Sequence, residues 1–262
     1  MKTPITITIM MLTLFFTNLA NAETPEEKGL FIAKAVDNND QGWTDSSMKL
    51  TMVLRNRQGD ESLREIRIKS LEISGDGDKS LTVFENPADV KGTAFLSFSH
   101  VLEADDQWLY MPALKRVKRI NSANKSGPFM GSQFAYEDLA SFEVNKYKYK
   151  YIRDEEINNI STYVVENYPQ YKHTGYTRQL VWVDKKRLIP LKVEYYDRKN
   201  VLLKTLAFDQ YKQYLDKYWR AHKQRMENHQ NGKTTLLTFR EYQFRQGLSA
   251  NDFSRNSLKR SR

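Results

Sequence analysis

A hydrophobic period of two that sets in at Ser46 and recurs nearly to the C-terminus constrains this chain more than any other feature. Met48, Leu50, Met52 and Leu54 alternate with Lys49, Thr51, Val53 and Arg55. Successive strand side chains point to opposite faces, so such a run buries one face and wets the other. Turn signals at Gln58-Gly59-Asp60, Gly75-Asp76-Gly77-Asp78, Asp184-Lys185-Lys186, Asp197-Arg198-Lys199-Asn200 and Asn231-Gly232 separate runs rich in Val, Ile, Thr, Tyr, Phe and Trp. The pattern predicts strands at 46–56, 62–74, 79–86, 93–98, 107–112, 143–152, 161–168, 176–184, 189–197, 201–213, 218–228 and 233–243, some of them merging to leave about eleven. The expected fold class is mainly β with a few helices, built as one antiparallel sheet. Two stretches interrupt the meander, 87–92 and 121–140, the second containing Gly127-Pro128 and Gly131. Long loops in compact domains serve as lids or binding loops.

Ahead of the sheet, Lys2, an apolar run from Ile5 to Leu19 and the small-residue site Ala20-Asn21-Ala22 have the form of a secretory signal peptide. The run is shorter than the roughly twenty apolar residues of a spanning helix, and Thr6, Thr8, Thr13, Thr17 and Asn18 break it. Residues 1–22 are therefore expected to be a leader cleaved after Ala22, and 23–262 a single domain in the periplasm. The sequence contains no cysteine, so an exported chain of this kind relies on its core and its hydrogen-bonded ladders instead of disulfides, and it has no thiol for a lipid anchor. No Pro/Gly/Ser-rich linker and no internal repeat divides it.

Thr24-Pro25-Glu26-Glu27 combines an N-cap, a first-turn proline and a capping-box glutamate, which predicts a helix to about Asp37. Its apolar positions Leu30, Phe31, Ala33, Ala35 and Val36 form a broad stripe to be buried. A second short helix opened by Ser249, carrying Phe253 and Leu258, precedes the basic tail Lys259-Arg260-Ser261-Arg262. The formal net charge is +9, of which Lys2 supplies one. A surplus of that sign attracts anionic headgroups or acidic partners at long range. Nucleic acid is not an expected partner, because the basic residues alternate with apolar ones along strands and form no single patch.

Lys146-Tyr147-Lys148-Tyr149-Lys150-Tyr151 puts three tyrosines on one face and three lysines on the other. Two readings of the tyrosines stand, cross-strand packing or the lining of a cavity, where the ring is apolar and the hydroxyl meets a ligand's polar end. One long sheet offers more apolar surface than two short helices and one loop can cover, and a partly covered sheet makes a ligand cavity. The candidate lining is Met48, Leu50, Met52, Leu54, Phe95, Leu109, Met111, Tyr147 and Tyr149, with methionines adaptable to irregular cargo. Phe129, Met130 and Phe134 in the long loop are the candidate lid, whose alternative is an Ω-loop packed by its own side chains.

Reactive constellations are missing. His100, His173, His222 and His229 are scattered, without a His-x-x-x-His pair or a thiolate, so no metal or other cofactor is expected. Met130-Gly131-Ser132-Gln133-Phe134 lacks the second glycine of a hydrolase elbow. In Gly75-Asp76-Gly77-Asp78-Lys79-Ser80, Asp78 stands where a phosphate loop needs glycine. Asp105-Asp106 and Glu155-Glu156 read as solvated turn acids, whereas Glu137-Asp138 adjoins the lid. The chain is not expected to be an enzyme. An outer-membrane barrel is disfavoured by Arg220, His222, Gln224 and Met226 alternating with Trp219, Ala221, Lys223 and Arg225, a run that suits neither lipid nor a dry core.

Three ordered blocks, Asn86-Pro87-Ala88-Asp89-Val90-Lys91-Gly92-Thr93-Ala94-Phe95-Leu96, Trp108-Leu109-Tyr110-Met111-Pro112-Ala113-Leu114-Lys115-Arg116-Val117-Lys118-Arg119-Ile120 and Gly131-Ser132-Gln133-Phe134-Ala135-Tyr136-Glu137-Asp138-Leu139, make the chain resemble the LolA/LolB-like periplasmic proteins, in the branch of outer membrane lipoprotein-sorting proteins. The resemblance covers essentially all of 23–262. It implies a strongly curved, open antiparallel barrel with a helical or loop lid, around a cavity that shields acyl chains in periplasmic transit. It also implies partners: a lipid or acylated lipoprotein as cargo, an inner-membrane exporter of the resistance-nodulation-division superfamily as donor, and an outer-membrane acceptor. The alternative function on the same scaffold is a lipid- or lipoprotein-sensing module of the cell envelope.

Overall fold

The computed structural model describes residues 23–260; the expected leader and the last two residues of the basic tail lie outside the described residues. Helix α1 (Pro25–Asn39) starts where its capping box places it, with Glu27 N donating to Thr24 Oγ1 at 3.2 Å and Thr24 N donating to Glu27 Oε2 at 2.9 Å. Among the described residues the strands then follow as β1 (Asp45–Arg55), β2 (Glu61–Leu71), β3 (Lys79–Asn86), β4 (Ala94–Phe98), β5 (Asp106–Met111), β6 (Arg116–Arg119), β7 (Tyr147–Ile157), β8 (Ile160–Pro169), β9 (Tyr176–Asp184), β10 (Pro190–Asp197), β11 (Leu202–Tyr214), β12 (Tyr218–Asn228) and β13 (Thr234–Phe244). A turn at Ala250–Asp252 capped by Ser249 leads into α2 (Arg255–Arg260).

All thirteen strands form one antiparallel sheet in the order β6-β5-β4-β3-β2-β1-β13-β12-β11-β10-β9-β8-β7. This corrects the expectation of about eleven strands and of strong curvature, whereas the sheet is open as expected, with β6 and β7 as its edges, and none of the predicted runs merges. The strand absent from the sequence reading is β6, whose Arg116-Val117-Lys118-Arg119 holds a single apolar residue and so carries little alternation; its ladder to β5 defines it. The two halves, β1–β6 and β7–β13, are joined at the ladder between β1 and β13, where Leu50 faces Phe239 and Met52 faces Leu237.

The connection from β6 to β7 runs between opposite edges, which twelve strand spacings place about 58 Å apart along the sheet. It makes this passage over the inner face, through short 3₁₀ turns at Ser122–Asn124, Tyr136–Leu139 and Val144–Lys146, and so supplies the core. Phe129 and Phe134 from this segment are buried with Leu50, Met52, Ile66, Phe84, Phe95, Leu206, Met226 and Leu237 of the sheet. The outer face is not uniformly wet, as simple alternation had suggested. Phe253 and Leu258 cover Leu81, Val83, Leu96 and Tyr110 there, and Val164, Leu180 and Trp182 form a further buried group.

Helix α1 lies on β7 through Gly29, Ile32 and Ala33. The predicted stripe is rotated: Phe31 is 68 % exposed and Leu30 also faces outward, while Ile32 packs inward with Tyr149, Val165 and Val183. A Cβ on Gly29 would stand 2.8 Å from Tyr151 N, so glycine lets helix backbone touch strand backbone, and that close approach fixes which side faces in.

Candidate functional site

The inner face divides into a filled half and an open half. In the filled half, the loop from Gly127 to Tyr136 folds back on itself, with Phe129 N donating to Phe134 O at 2.7 Å and Tyr136 N donating to Gly127 O at 3.1 Å. Met130 and Gly131 turn the chain at φ of 49° and 78°, a conformation glycine adopts freely and methionine rarely. The ring of Phe129, 2 % exposed, sits 5.1 Å from that of Phe95, 5.9 Å from Phe84 and 5.6 Å from Tyr136. Met48, Leu50, Met52, Leu54, Phe95, Leu109, Met111, Phe129, Met130 and Phe134 all belong to this one cluster. The structure thus brings ten of the twelve sequence-predicted residues together, but around the protein's own loop, as packed core.

Polar anchors pin the plug. Arg64 Nη1 donates to Met130 O at 2.9 Å, and Gln133 N donates to Thr235 Oγ1 at 2.9 Å. Lys204 Nζ donates to Gln133 O at 2.9 Å and to Asp138 Oδ2 at 2.6 Å, and Tyr176 OH donates to Asp138 Oδ1 at 2.8 Å. The side chains of Lys204 and Asp138 are each 4 % exposed. Two charges so deeply buried are tolerated because each satisfies the other and the remaining lone pairs are hydrogen-bonded. Beyond them, Asp105 gathers Lys125 at 2.7 Å and Lys146. Burial raises the Asp105 pKa, but the hydrogen bonds from the two lysines outweigh it and leave the carboxyl below its usual range. This corrects two sequence readings. Asp105 is a buried tie, not a solvated turn acid, and Lys146 turns inward to it instead of sharing the wet face of Lys148 and Lys150.

The open half lies between α1 and strands β8–β10, where a cleft of about 1280 Å³ remains. Its floor is laid in cross-strand rows: Val183 and Pro190; then Val165, Val181 and Val193; then Asn167, Gln179 and Tyr195. The valine row continues past Val193 through Leu206 and Met226 into the filled half, so the two halves share one apolar surface. Asn167, 6 % exposed, borders the cleft without a side-chain hydrogen bond. Of the predicted residues only Tyr147 borders the cleft; Tyr149 packs behind it against α1 and donates its hydroxyl to Val144 O at 2.8 Å. Sequence reasoning missed Val165, Val181, Val193, Asn167 and Gln179. The signal that could have found them is a pair of amides at inward parity within valine-rich strands.

Carboxylates ring the cleft. Glu137, at the junction of the two halves, accepts from Gly175 N at 2.8 Å, Thr174 Oγ1 at 2.9 Å and Tyr171 OH at 3.1 Å. Burial pushes its pKa up despite these bonds. Burial likewise raises Asp37 and Glu143, and lifts Asp78 to about 7, with Glu143, Glu72 and Asp40 adding repulsion. Tyr147 is pushed up to about 12 by burial, which keeps its hydroxyl protonated as a donor.

A chain with this sheet and this connection is similar to several proteins of known structure. A crystal structure of an outer membrane lipoprotein-sorting protein domain from Vibrio parahaemolyticus is 58 % identical, with 89 % of this chain and 99 % of that one covered at a TM-score of 0.88. A DUF1329 family protein from Desulfovibrio piger is 32 % identical over 90 % of this chain and 99 % of its own, at a TM-score of 0.85. A LolA superfamily protein from Nitrosomonas europaea, 22 % identical over 87 % of this chain and 98 % of its own, has a TM-score of 0.68 and so shares the fold. A family model described only as an uncharacterized protein matches residues 76–260. No curated protein matches. At 58 % and 32 % identity over nearly its whole described length, the chain belongs to the family of the outer membrane lipoprotein-sorting protein domain and the DUF1329 protein.

Proposed function

We propose that this protein is a periplasmic carrier that shelters the acyl part of a lipid or lipoprotein in the cleft beneath α1 while it passes between the inner and outer membranes. The observation that carries this reading is the cleft itself: about 1280 Å³ floored by a row of valines, against roughly 300–1,000 Å³ for ordinary small-molecule sites. An unsheltered acyl methylene costs about 0.8 kcal/mol in water, so a sixteen-carbon chain held bare costs on the order of 12 kcal/mol. Such a chain crosses an aqueous compartment only when covered. The family relationship supports the same reading, since the Vibrio relative is described as lipoprotein-sorting.

The plug extends the mechanism. Phe129 and Met130 occupy the inner face when the carrier is empty, and larger cargo displaces them along the valine row that links the halves. An exporter of the resistance-nodulation-division superfamily is the donor in this scheme and an outer-membrane protein the acceptor. Native mass spectrometry of protein purified from its own periplasm tests the reading. A bound lipid is expected, together with faster amide exchange of residues 126–139 in the loaded form. Protein that carries no lipid and whose loop protection ignores added lipid would refute it.

A further inference from the structure

We infer that the cleft selects an amphiphile with a cationic, amine-type head, the apolar body lying on the valine rows and the ammonium among the carboxylates of the rim. This rests on the carrier reading above and adds the chemistry of the cargo's head. The cleft is lined by ten Asp and Glu side chains and, among the described residues, by one basic side chain, Lys146. Lys146 is taken by Asp105, while Asp40, Asp76 and Asp138 pair with Arg220, His100 and Lys204. Among the described residues that leaves Asp37, Asp45, Glu72, Asp78, Glu137 and Glu143 without a salt bridge. A chain with a net charge of +9 thus places six acids that lack a salt bridge around one concave site that holds a single basic side chain.

Backbone amides and hydroxyls stabilise some of these groups, as Gly42 N and Thr44 N do for Glu72 at 2.6 and 2.7 Å, but such donors carry no countercharge. The raised pKa values of Asp37, Asp78, Glu137 and Glu143 point the same way, since burial and mutual repulsion leave them needing a cation. A second observation is independent of charge. Asn167 is 6 % exposed, borders the cleft and, among the described residues, has no side-chain hydrogen-bond partner, so its amide is left open to whatever occupies the cleft. Its amide oxygen suits an N–H donor. Among the described residues no three potential ligands converge on one point to chelate a metal ion, so the acids are not assigned to a metal.

Hexadecylamine, hexadecanol and hexadecanoic acid, titrated below their micelle concentrations into the full-length protein, test this through tryptophan emission, to which Trp43 in the cleft wall contributes. The amine is expected to bind at least tenfold more tightly than the acid. The double variant Asp37→Asn/Glu143→Gln, both at partly open positions, and Asp78→Asn separately, are expected to shrink that preference severalfold while the alcohol binds as before. Acid bound as tightly as amine, or a preference that survives both variants, overturns the amine head and leaves the carrier reading standing. Failure of all three compounds to bind overturns the carrier reading, and this inference with it.

Discussion

The two halves of the inner face use the same strand alternation and reach opposite ends. Around Phe129 every apolar side chain meets another, and an ion pair and four hydrogen bonds fasten the loop that fills the space. Beneath α1, Val165, Val181 and Val183 meet Ile32, Ala33 and Val36 of one helix and the tyrosines of β7, and a cleft remains. Composition does not separate them. What separates them is the bulk of the element that lies on top: a loop with three large aromatic side chains in one case, a helix whose contact side is Gly29, Ile32 and Ala33 in the other. The cleft is a part of the core that its cover is too thin to finish.

The sharpest way to break the comparison is to make the filled half hollow. Phe129→Ala removes the central ring and is expected to cost about 3–5 kcal/mol, read as a fall in the urea midpoint at unchanged slope. A loss under about 1 kcal/mol would mean that the plug is not core. Next in size, Lys204→Met strands the Asp138 carboxylate and is expected to cost about 3 kcal/mol. The double variant Lys204→Met/Asp138→Leu should recover most of it, which a double-mutant cycle measures. If the double variant is no better than the single one, the pair does not act as a unit.

Thickening the thin cover is the reverse test. Gly29→Ala places a Cβ 2.8 Å from Tyr151 N, and overpacking of this kind costs about 1–3 kcal/mol. It should also lift α1 and speed amide exchange across Ile32–Val36, while leaving the plug's protection as it was. The last test is a pH slope in the open half. Asp78 is held near 7 by burial, above its ordinary 3.8, so the folded state holds a proton that the unfolded state has released. Its contribution is complete below about pH 4 and is lost as pH rises through about 7. Asp78→Asn should therefore raise the melting temperature more at pH 8 than at pH 4.5, and an equal rise at both would show that Asp78 titrates normally.

Much of the fold is legible in the chain. The capping box of Thr24 and Glu27 opens α1 where it is read, and twelve of the strands lie within a few residues of their alternating runs, because period and turn chemistry are local properties. Strand β6 is not legible, since its four residues are strands only by virtue of a neighbour. The stripe on α1 was misread for a related reason. Leu30 and Phe31 are more apolar than Gly29, yet backbone contact at Gly29 decides which side lies against β7. For the site, parity correctly assigned Met48, Leu50, Met52 and Leu54 to the inner face together with Phe95 and Leu109. It could not say that Phe129 and Phe134 would fill the space before them.

By itself, then, the sequence determined which side chains face inward, where the strands turn, and that the sheet needs a cover from elsewhere in the chain. These follow from dihedral preferences and a two-residue repeat, which act between neighbours. Only the tertiary structure decided that the 120–146 connection, on its way from edge to edge, fills one half of the inner face and merely borders the cleft that a helix covers in the other. It also decided that Asp37, Asp78, Glu137 and Glu143, distant in sequence, would border one cleft. Voids and fields depend on how distant segments share volume, and that information is spread over pairs of residues with no periodic trace in the chain.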